Sequence, residues 1–243
     1  MLGLCLASLV FVATASFAAP ATREQVISQL ESGNTDLSNL KAAGVDLSGI
    51  DFRGAQLFGA DLDGADLSNA RLTRCNLNLT LLRKAVLVKA DLQEANIFGV
   101  LLDNANLAGA NLRGAHLVSR LDHANLDGAN LSDLRAGADM RDQPMGPIRI
   151  VLTNASLKGA KLIAADLSRG DLSYADLSKA DLTRADLSRV NLTGANLSGA
   201  RLEGANMKEA QIHNAIFVGA SGLDKVFDFD SVQGLETATF DPR

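Results

Sequence analysis

The chain has 243 residues, of which 23 are Lys or Arg and 28 are Asp or Glu, so its formal net charge is -5. This balance excludes a strongly basic surface of the kind that binds duplex phosphates, and no nucleic-acid partner is expected. Two cysteines are too few for a disulfide framework or a four-cysteine zinc site. Aromatic residues make up only 4% of the chain, so any core must consist mainly of small and aliphatic side chains.

The first 22 residues contain no charged side chain and include an apolar run from Leu2 to Val12. Small residues follow, and Ser16-Phe17-Ala18 has the pattern that signal peptidases recognise. We therefore predict that residues 1–19 are a signal peptide and that the protein is exported to the periplasm, the medium or a thylakoid lumen. No stable membrane insertion is expected after cleavage. The alternative is an uncleaved anchor, since about 18 apolar residues can span a bilayer.

A short helix is predicted next, within an N-terminal cap of residues 20–35. Thr22 and Gln25 have the spacing of a capping box, in which the side chain of each residue bonds to the backbone of the other. The apolar residues of this helix are Val26, Ile27 and Leu30. They are expected to pack on the structure that follows.

A five-residue period dominates the rest of the chain. From Leu47 to Leu117 the third position of 15 consecutive pentads holds 13 Leu, one Phe and one Ile. A second block from Leu152 to Phe217 adds 14 pentads, 11 of them with Leu. A period of five fits neither the 3.6 of a helix nor the 2 of a strand. Only a chain that turns at every pentad can keep these side chains inside.

The pentads read Ala-Asp-Leu-x-x or close variants, for example ADLSR, ADLSK and ADLTR. In this pattern residues 36–219 resemble the pentapeptide repeat family. The resemblance implies an all-β solenoid, a right-handed quadrilateral β-helix with four pentads to a coil and, here, a short N-terminal helical cap. The central Leu and the Ala two positions earlier would point inward. Similar proteins occur in exported compartments, including the thylakoid lumen.

The repeat is interrupted between Leu117 and Leu152. Leu126 follows Leu117 by nine residues, one short of two pentads, and segment 141–149 fits no pentad. Two prolines in that segment cannot donate to a β-ladder, so we predict a loop that leaves the side of the rod. This loop is either functional or a tolerated insertion. Its residues are Arg141, Asp142, Gln143, Pro144, Met145, Gly146, Pro147, Ile148 and Arg149.

After Gly219 the repeat ends, and residues 220–243 form a C-terminal tail. The open end of a solenoid exposes unpaired backbone and apolar side chains. The tail therefore either covers the last coil or forms a homodimer contact through this end of the rod. Its apolar residues include Leu223, Val226, Phe227, Phe229 and Phe240.

The sequence contains no phosphate-binding glycine loop and no nucleophile elbow. His116, His123 and Asp122 come nearest to a metal-ligand set, but isolated surface histidines are far commoner. No catalytic residue, cofactor or metal ligand is predicted. A carbohydrate-acting β-helix enzyme would need a cleft with converging ionisable groups, which the pattern does not disclose.

One group of apolar residues is not needed by the core. With four pentads to a coil, Phe58, Phe98 and Val118 fall on one outward column, with Asn78 between them. Outward positions elsewhere are mostly polar or Gly, so this group is a candidate interface unless the helix, loop or tail folds over it. The predicted surface comprises Phe58, Leu79, Leu81, Val86, Val88, Phe98, Leu101 and Val118.

Together these observations predict a non-enzymatic exported scaffold that binds a protein partner whose identity the sequence does not reveal. The resemblance also suggests an alternative, a DNA-mimicking protein that binds topoisomerases, as in the quinolone-resistance branch of the family. Such mimicry needs a sustained negative field. Residues 45–219 carry 20 acidic and 19 basic residues, which argues against it.

Overall fold

The computed structural model describes residues 20–137 and 149–242, which wind into a four-sided, right-handed rod. The predicted signal peptide, residues 1–19, and residues 141–148 of the predicted loop lie outside the described residues. Within the described ranges, no helix has both the length and the apolar character needed to cross a membrane.

Parallel backbone bridges join each pentad to the pentad one coil later. In the regular parts of the rod the bridged residues are 20 apart, as in Asp36 with Gln56 and Asp166 with Asp186. Four pentads therefore make one coil, which confirms the predicted quadrilateral β-helix. Sides 1 to 4 are numbered from the bridged residues of the first coil, which are Asp36, Lys41, Asp46 and Asp51. Coils 1 to 9 begin on side 1 at residues 36, 56, 76, 96, 116, 135, 166, 186 and 206.

Two segments of the described chain are extended enough to count as strands. Strand β1, Asn96–Leu101, and strand β2, His116–Arg120, pair in parallel along side 1 and reach the first residue of side 2. In this pair Phe98 lies opposite Val118, so the outward column predicted from the sequence exists.

Two columns of buried side chains on each side fill the interior. Leu177, at a central position, is 0% exposed, and Ala175, two positions earlier, is 1% exposed. The interior is narrow, and on side 2 a large residue in the small column is followed by a smaller one. Ile150 stands in that column, and one coil later Gly170 replaces Ala. A Cβ on Gly170 would lie 2.9 Å from Cγ2 of Ile150, so this glycine provides space.

The corners of the rod use left-handed backbone. The fifth residue of most pentads has φ near +60°, as in Leu79 (60°), Arg169 (62°) and Tyr174 (59°). Its N–H donates to a carbonyl of the next coil, as from Leu79 to Phe98 at 2.9 Å. Residues larger than Gly are strained in this conformation, and the ladder holds them there.

The interruption begins with a one-residue deletion in coil 5. His116 is bridged to Arg135, 19 residues later, so the corner after side 1 lacks one residue. The buried Ser119 hydroxyl takes the place of the missing turn. It accepts from the N–H of Val100 at 3.1 Å and donates to the carbonyl of Ile97 at 2.6 Å.

An insertion follows in coil 6, which runs for 31 residues, from Arg135 to Asp166. The described chain stops at Gly137 on side 1 and resumes at Arg149 just before side 2. The insertion therefore falls between side 1 and side 2 of coil 6.

Helix α1, Arg23–Glu31, covers the start of the rod. Thr22 and Gln25 form the predicted capping box. The Arg23 guanidinium donates to the carbonyls of Asp46 and Ser48 at 3.1 and 2.7 Å. These carbonyls belong to the first coil and have no preceding coil to bond, so Arg23 closes part of the open edge.

The tail continues the winding as a wider, incomplete coil. Its bridged residues are six apart instead of five, and they are Ser221, Phe227, Gln233 and Thr239. Two short 3-10 helices, Leu223–Lys225 and Phe229–Ser231, take up the extra residues. Phe240 stacks on Phe217 with ring centroids 5.1 Å apart, so the tail packs against the last buried layer. Phe227 remains 62% exposed at this end.

Candidate interaction surface

Side 1 carries no Asp, Glu, Lys or Arg over four consecutive coils. The segments concerned are 56–59, 76–79, 96–99 and 116–118, which we call the uncharged face. Among the described coils, every other side has a charged residue within any three consecutive coils. With about 4.8 Å between neighbouring coils, the uncharged face is about 19 Å long.

Neutral amide side chains are fixed along this face by hydrogen bonds. The side-chain amide of Asn76 donates to Oε1 of Gln56 at 3.0 Å, and its oxygen accepts from the N–H of Asn78 at 3.1 Å. Oδ1 of Asn78 accepts from the N–H of Phe98 at 3.0 Å. These bonds hold the polar groups of the uncharged face in defined positions.

Phe58 and Leu79 are the most exposed apolar side chains on the uncharged face, at 42% and 51%. Leu79 also has φ of 60°, a conformation that costs an L-residue about 1–2 kcal/mol. Its side chain leans over Gly99 of the next coil, where a Cβ would lie 2.8 Å from Leu79 Cδ2. Because Leu79 is both strained and exposed, neither the core nor the turn explains why a leucine stands there.

The eight residues predicted as one surface are spread over three sides of the rod. Side 1 holds Phe58, Leu79, Phe98 and Val118, side 2 holds Leu81 and Leu101, and side 3 holds Val86 and Val88. Phe58 and Leu79 are exposed, whereas the half-buried members are Leu81, Val86, Val88, Phe98 and Leu101.

Val118 is only 4% exposed, so the prediction that it forms part of an exposed surface is wrong. The physical reason is the deletion in coil 5. Without its corner residue, strand β2 runs extended into Ser119, and no turn carries position 118 towards solvent.

His116 is the single titratable side chain of the uncharged face. Its ring stacks on Phe98 with centroids 6.4 Å apart and an interplanar angle of 28°. Burial, and secondarily the charge of Arg135, lower the pKa of His116 below its usual value. The imidazole is therefore neutral at pH 7, and so is the whole face.

Side 4 has the opposite character, because charges of alternating sign pair between neighbouring coils. Arg74 bonds Glu94 at 2.7 Å, and Arg113 bonds Asp133 at 3.0 Å. These pairs leave little unopposed negative charge along the side. A mimic of a phosphate backbone would need such unopposed charge.

The remaining candidates from the sequence do not come together as a site. His116 lies on side 1 and His123 on side 2, and the described residues contain no group that could hold a metal ion. Cys75 is buried, and burial raises the pKa of its thiol to about 12, so it is a packing residue. Of the predicted loop only Arg149 is described, and its guanidinium donates to the Asp171 carboxylate at 3.3 Å.

Sequence reasoning missed the absence of charge on side 1. The signal was present, because aligning the chain in rows of 20 and comparing the columns shows four successive uncharged segments. The strain at Leu79 left no such signal in the sequence, since only the backbone conformation shows that the fifth pentad position is left-handed.

The repeat matches a known family model and several solved structures. A family model described as pentapeptide repeats matches residues 34–69, 60–97, 90–135, 150–189 and 185–221. HetL, from the cyanobacterium Nostoc sp. strain PCC 7120, is described as a pentapeptide repeat protein involved in heterocyst differentiation regulation. It is 30% identical over 90% of this chain and 96% of its own, with a TM-score of 0.38.

Two further structures are similar. QnrB1, a plasmid-mediated fluoroquinolone resistance protein, is 16% identical over 81% of this chain and 91% of its own, with a TM-score of 0.54. This likeness shows the fold alone. A pentapeptide repeat protein of the Arabidopsis thaliana thylakoid lumen is 33% identical over 45% of this chain and 63% of its own, with a TM-score of 0.25. No curated protein matches the chain significantly.

Proposed function

Because the chain belongs to the pentapeptide repeat family, whose members are generally non-catalytic, we propose that it is a non-enzymatic scaffold that binds a protein partner through the uncharged face. The partner is expected to contact side 1 of coils 2–5. The remaining sides keep the rod soluble through their paired charges.

The observation that carries this proposal is the loss of charge where apolar side chains are exposed. The centres of protein interfaces are depleted of charged residues and enriched in aromatic ones. The uncharged face combines both properties, with Phe58 exposed and Phe98 half-buried between fixed amides. A charged partner surface would lose hydration there without gaining an ion pair, so the proposed partner presents a neutral, partly apolar patch.

Export is part of the same proposal, and it rests on the uncharged, apolar start of the chain. The mature N-terminus in the producing organism is expected near Ala19 or Pro20. Mass spectrometry of the native protein measures it directly. An intact Met1 on protein recovered from the cytoplasm would refute export.

Crosslinking in the producing organism tests the contact surface. The double variant Phe58→Ser with Leu79→Asn changes the two exposed apolar residues of the uncharged face and leaves the core intact. It should fold normally and lose most of the crosslinked partner, since a few central apolar residues carry most interface energy.

The matched control changes two exposed apolar residues on side 3, by Ile216→Asn with Val218→Ser. These residues are 38% and 42% exposed, comparable with Phe58 and Leu79. The control should capture the partner as well as the wild-type protein does. Equal capture by both double variants would contradict the proposed contact surface.

A further inference from the structure

We infer that the uncharged face binds a second copy of this chain, with the two rods antiparallel and side 1 against side 1. This inference rests on the proposed function, because it names an occupant for the same face. The opposite charges at the two ends of the face are the reason to choose a second copy as the occupant.

The uncharged face is bounded by opposite charges in a single column. The bridged positions of side 1 read Asp36, Gln56, Asn76, Asn96, His116 and Arg135 from coil 1 to coil 6. An exposed carboxylate therefore stands at one end and an exposed guanidinium at the other. Between them lie four neutral side chains, because the pKa of His116 is lowered.

A two-fold axis that crosses the face between coils 3 and 4 maps this column onto itself in reverse order. Coil 1 of one rod then faces coil 6 of the other, so Asp36 meets Arg135 of the partner subunit at both ends of the contact. The neutral residues face one another in the middle, Asn76 against Asn96 of the partner subunit. Amides are both donors and acceptors, so this pairing is self-complementary.

The alternative two-fold arrangement places the rods parallel. Like charges then lie at the same height along both rods, Asp36 near the partner's Asp36 and Arg135 near the partner's Arg135. Like-charge juxtaposition across an interface is costly, so the charges select the antiparallel arrangement.

Leu79 lies where this arrangement needs an apolar anchor. It belongs to coil 3 and leans over Gly99 of coil 4, which places its side chain beside the proposed axis. The two copies of Leu79 would meet halfway along the contact, at the corner edge of side 1. This contact would account for a strained, exposed leucine that the monomer does not require.

The overlap is short, so we expect a weak dimer. Coils 1–6 span about 29 Å along the rod. A contact of this length, limited to one narrow side, buries an area at the lower end of the range for specific interfaces. Sedimentation equilibrium of the purified protein at low salt, with concentrations up to about 0.5 mM, should show a reversible monomer–dimer equilibrium.

Exchange of the two end charges tests the arrangement. Asp36→Arg and Arg135→Asp, made separately, each place like charges at both ends of the dimer and should weaken dimerisation about tenfold or more. The combined variant restores opposite charges and should recover the wild-type dissociation constant to within about threefold. Asp66→Arg is the matched control, because Asp66 on side 3 accepts from Ser68 as Asp36 accepts from Ser38.

A crosslink through the axis tests the position of Leu79. Leu79→Cys should form a covalent dimer with a short bis-maleimide, whereas Ser168→Cys, on side 1 of coil 7 beyond the overlap, should not. Both variants are made with Cys5→Ser, and Cys75 gives no background, because it is buried and its pKa is raised to about 12.

The outcomes separate this inference from the proposed function. A protein that stays monomeric at about 0.5 mM, or a combined charge variant that fails to recover dimerisation, overturns the homodimer. The proposed function then stands or falls on partner capture by the Phe58→Ser, Leu79→Asn variant. A dimer that resists every change on side 1 of coils 1–6 but dissociates with Phe227→Ser, in the tail, also overturns the inference and places self-association at the C-terminal end.

Discussion

Side 1 has two different surfaces on the same backbone, one before the interruption and one after it. Coils 2–5 carry no charge on this side, whereas coils 7–9 carry Asp166, Arg169, Asp186, Arg189, Lys208 and Glu209. The later charges pair between coils, as in Arg189 with Glu209 at 2.7 Å. Apart from the corner in coil 5 that lacks one residue, the buried columns and the parallel bridges continue through both regions, so the fold does not dictate the chemistry of the outward positions.

The turns show why an amide can replace a carboxylate without loss of structure. Oδ1 of Asp166 accepts from the N–H of Ser168 at 3.0 Å, and Oδ1 of Asn76 accepts from that of Asn78 at 3.1 Å. Both residue types satisfy the same backbone donor. The turn therefore does not require the first region to be neutral. We attribute this neutrality to the surface that side 1 contacts.

The largest expected effect comes from disrupting the buried Leu column, which both regions share. Leu177→Asp places a carboxylate in the buried column, where Leu177 is 0% exposed, and should destabilise the protein by more than about 3 kcal/mol. Ser178→Asp, one residue later and facing outward, should change stability by less than about 0.5 kcal/mol. Thermal melts compare the two, and equal melting temperatures would disprove the inward and outward assignment.

A smaller effect is expected from Phe98→Ser, which gives coil 4 the residue that coil 7 has at this position. Phe98 is half-buried and stacks on His116, so the loss should be about 1–2 kcal/mol. Ser168→Ala, in the same column after the interruption, should stay within about 0.5 kcal/mol of the wild type. Urea unfolding of both variants measures the difference. Similar midpoints for them would mean that Phe98 contributes nothing to the rod.

Leu79→Asn should leave stability unchanged or raise it by up to about 1 kcal/mol, because Asn tolerates left-handed backbone better than Leu. The reverse exchange, Asn154→Leu at φ of 56° on side 2, should lower stability by a similar amount. Calorimetry of the two variants checks the sign. A clear loss of stability in Leu79→Asn would show that this leucine stabilises the folded monomer, so a contact with a partner would not be needed to explain it.

The smallest expected effect is a pH dependence from His116. Its pKa is lower in the folded than in the unfolded chain, so protonation favours unfolding. Its contribution is fully present above a pH of about 6.5 and is lost as the pH falls through the folded pKa. His116→Asn should flatten the melting temperature between about pH 7 and pH 5.

A separate pH effect is expected from the paired carboxylates and serves as a control. Hydrogen bonds, chiefly to Arg189, lower the pKa of Glu209, and the same holds for Glu94 with Arg74. Their stabilisation is present above the unfolded pKa and is lost in stronger acid, below a pH of about 4.5. An unchanged slope above pH 5 in His116→Asn would remove His116 as the cause.

The candidate surface was only partly predictable. Phe58, Phe98 and Val118 follow as one column from a coil of 20 residues, and bridges confirm it. The burial of Val118 could not be anticipated, because it depends on how one deleted residue is absorbed at a corner. The buried Ser119 hydroxyl bonds the backbone groups that the missing turn leaves without a partner, and a serine in the sequence does not indicate that role.

By itself the sequence determined the period, the inward Leu and Ala columns and the capping box at Thr22, and its resemblance to the pentapeptide repeat family implied the four-sided β-helix. The period and the inward columns follow from local chemistry repeated many times, so their signal accumulates along the chain. Tertiary structure alone decided at which corner the missing residue is absorbed, how the tail widens to six residues per side, and which outward residues are exposed. These features depend on contacts between coils, which join residues about 20 positions apart in the sequence. The exposure of Leu79 depends on a left-handed backbone conformation, which a leucine in the sequence does not predict.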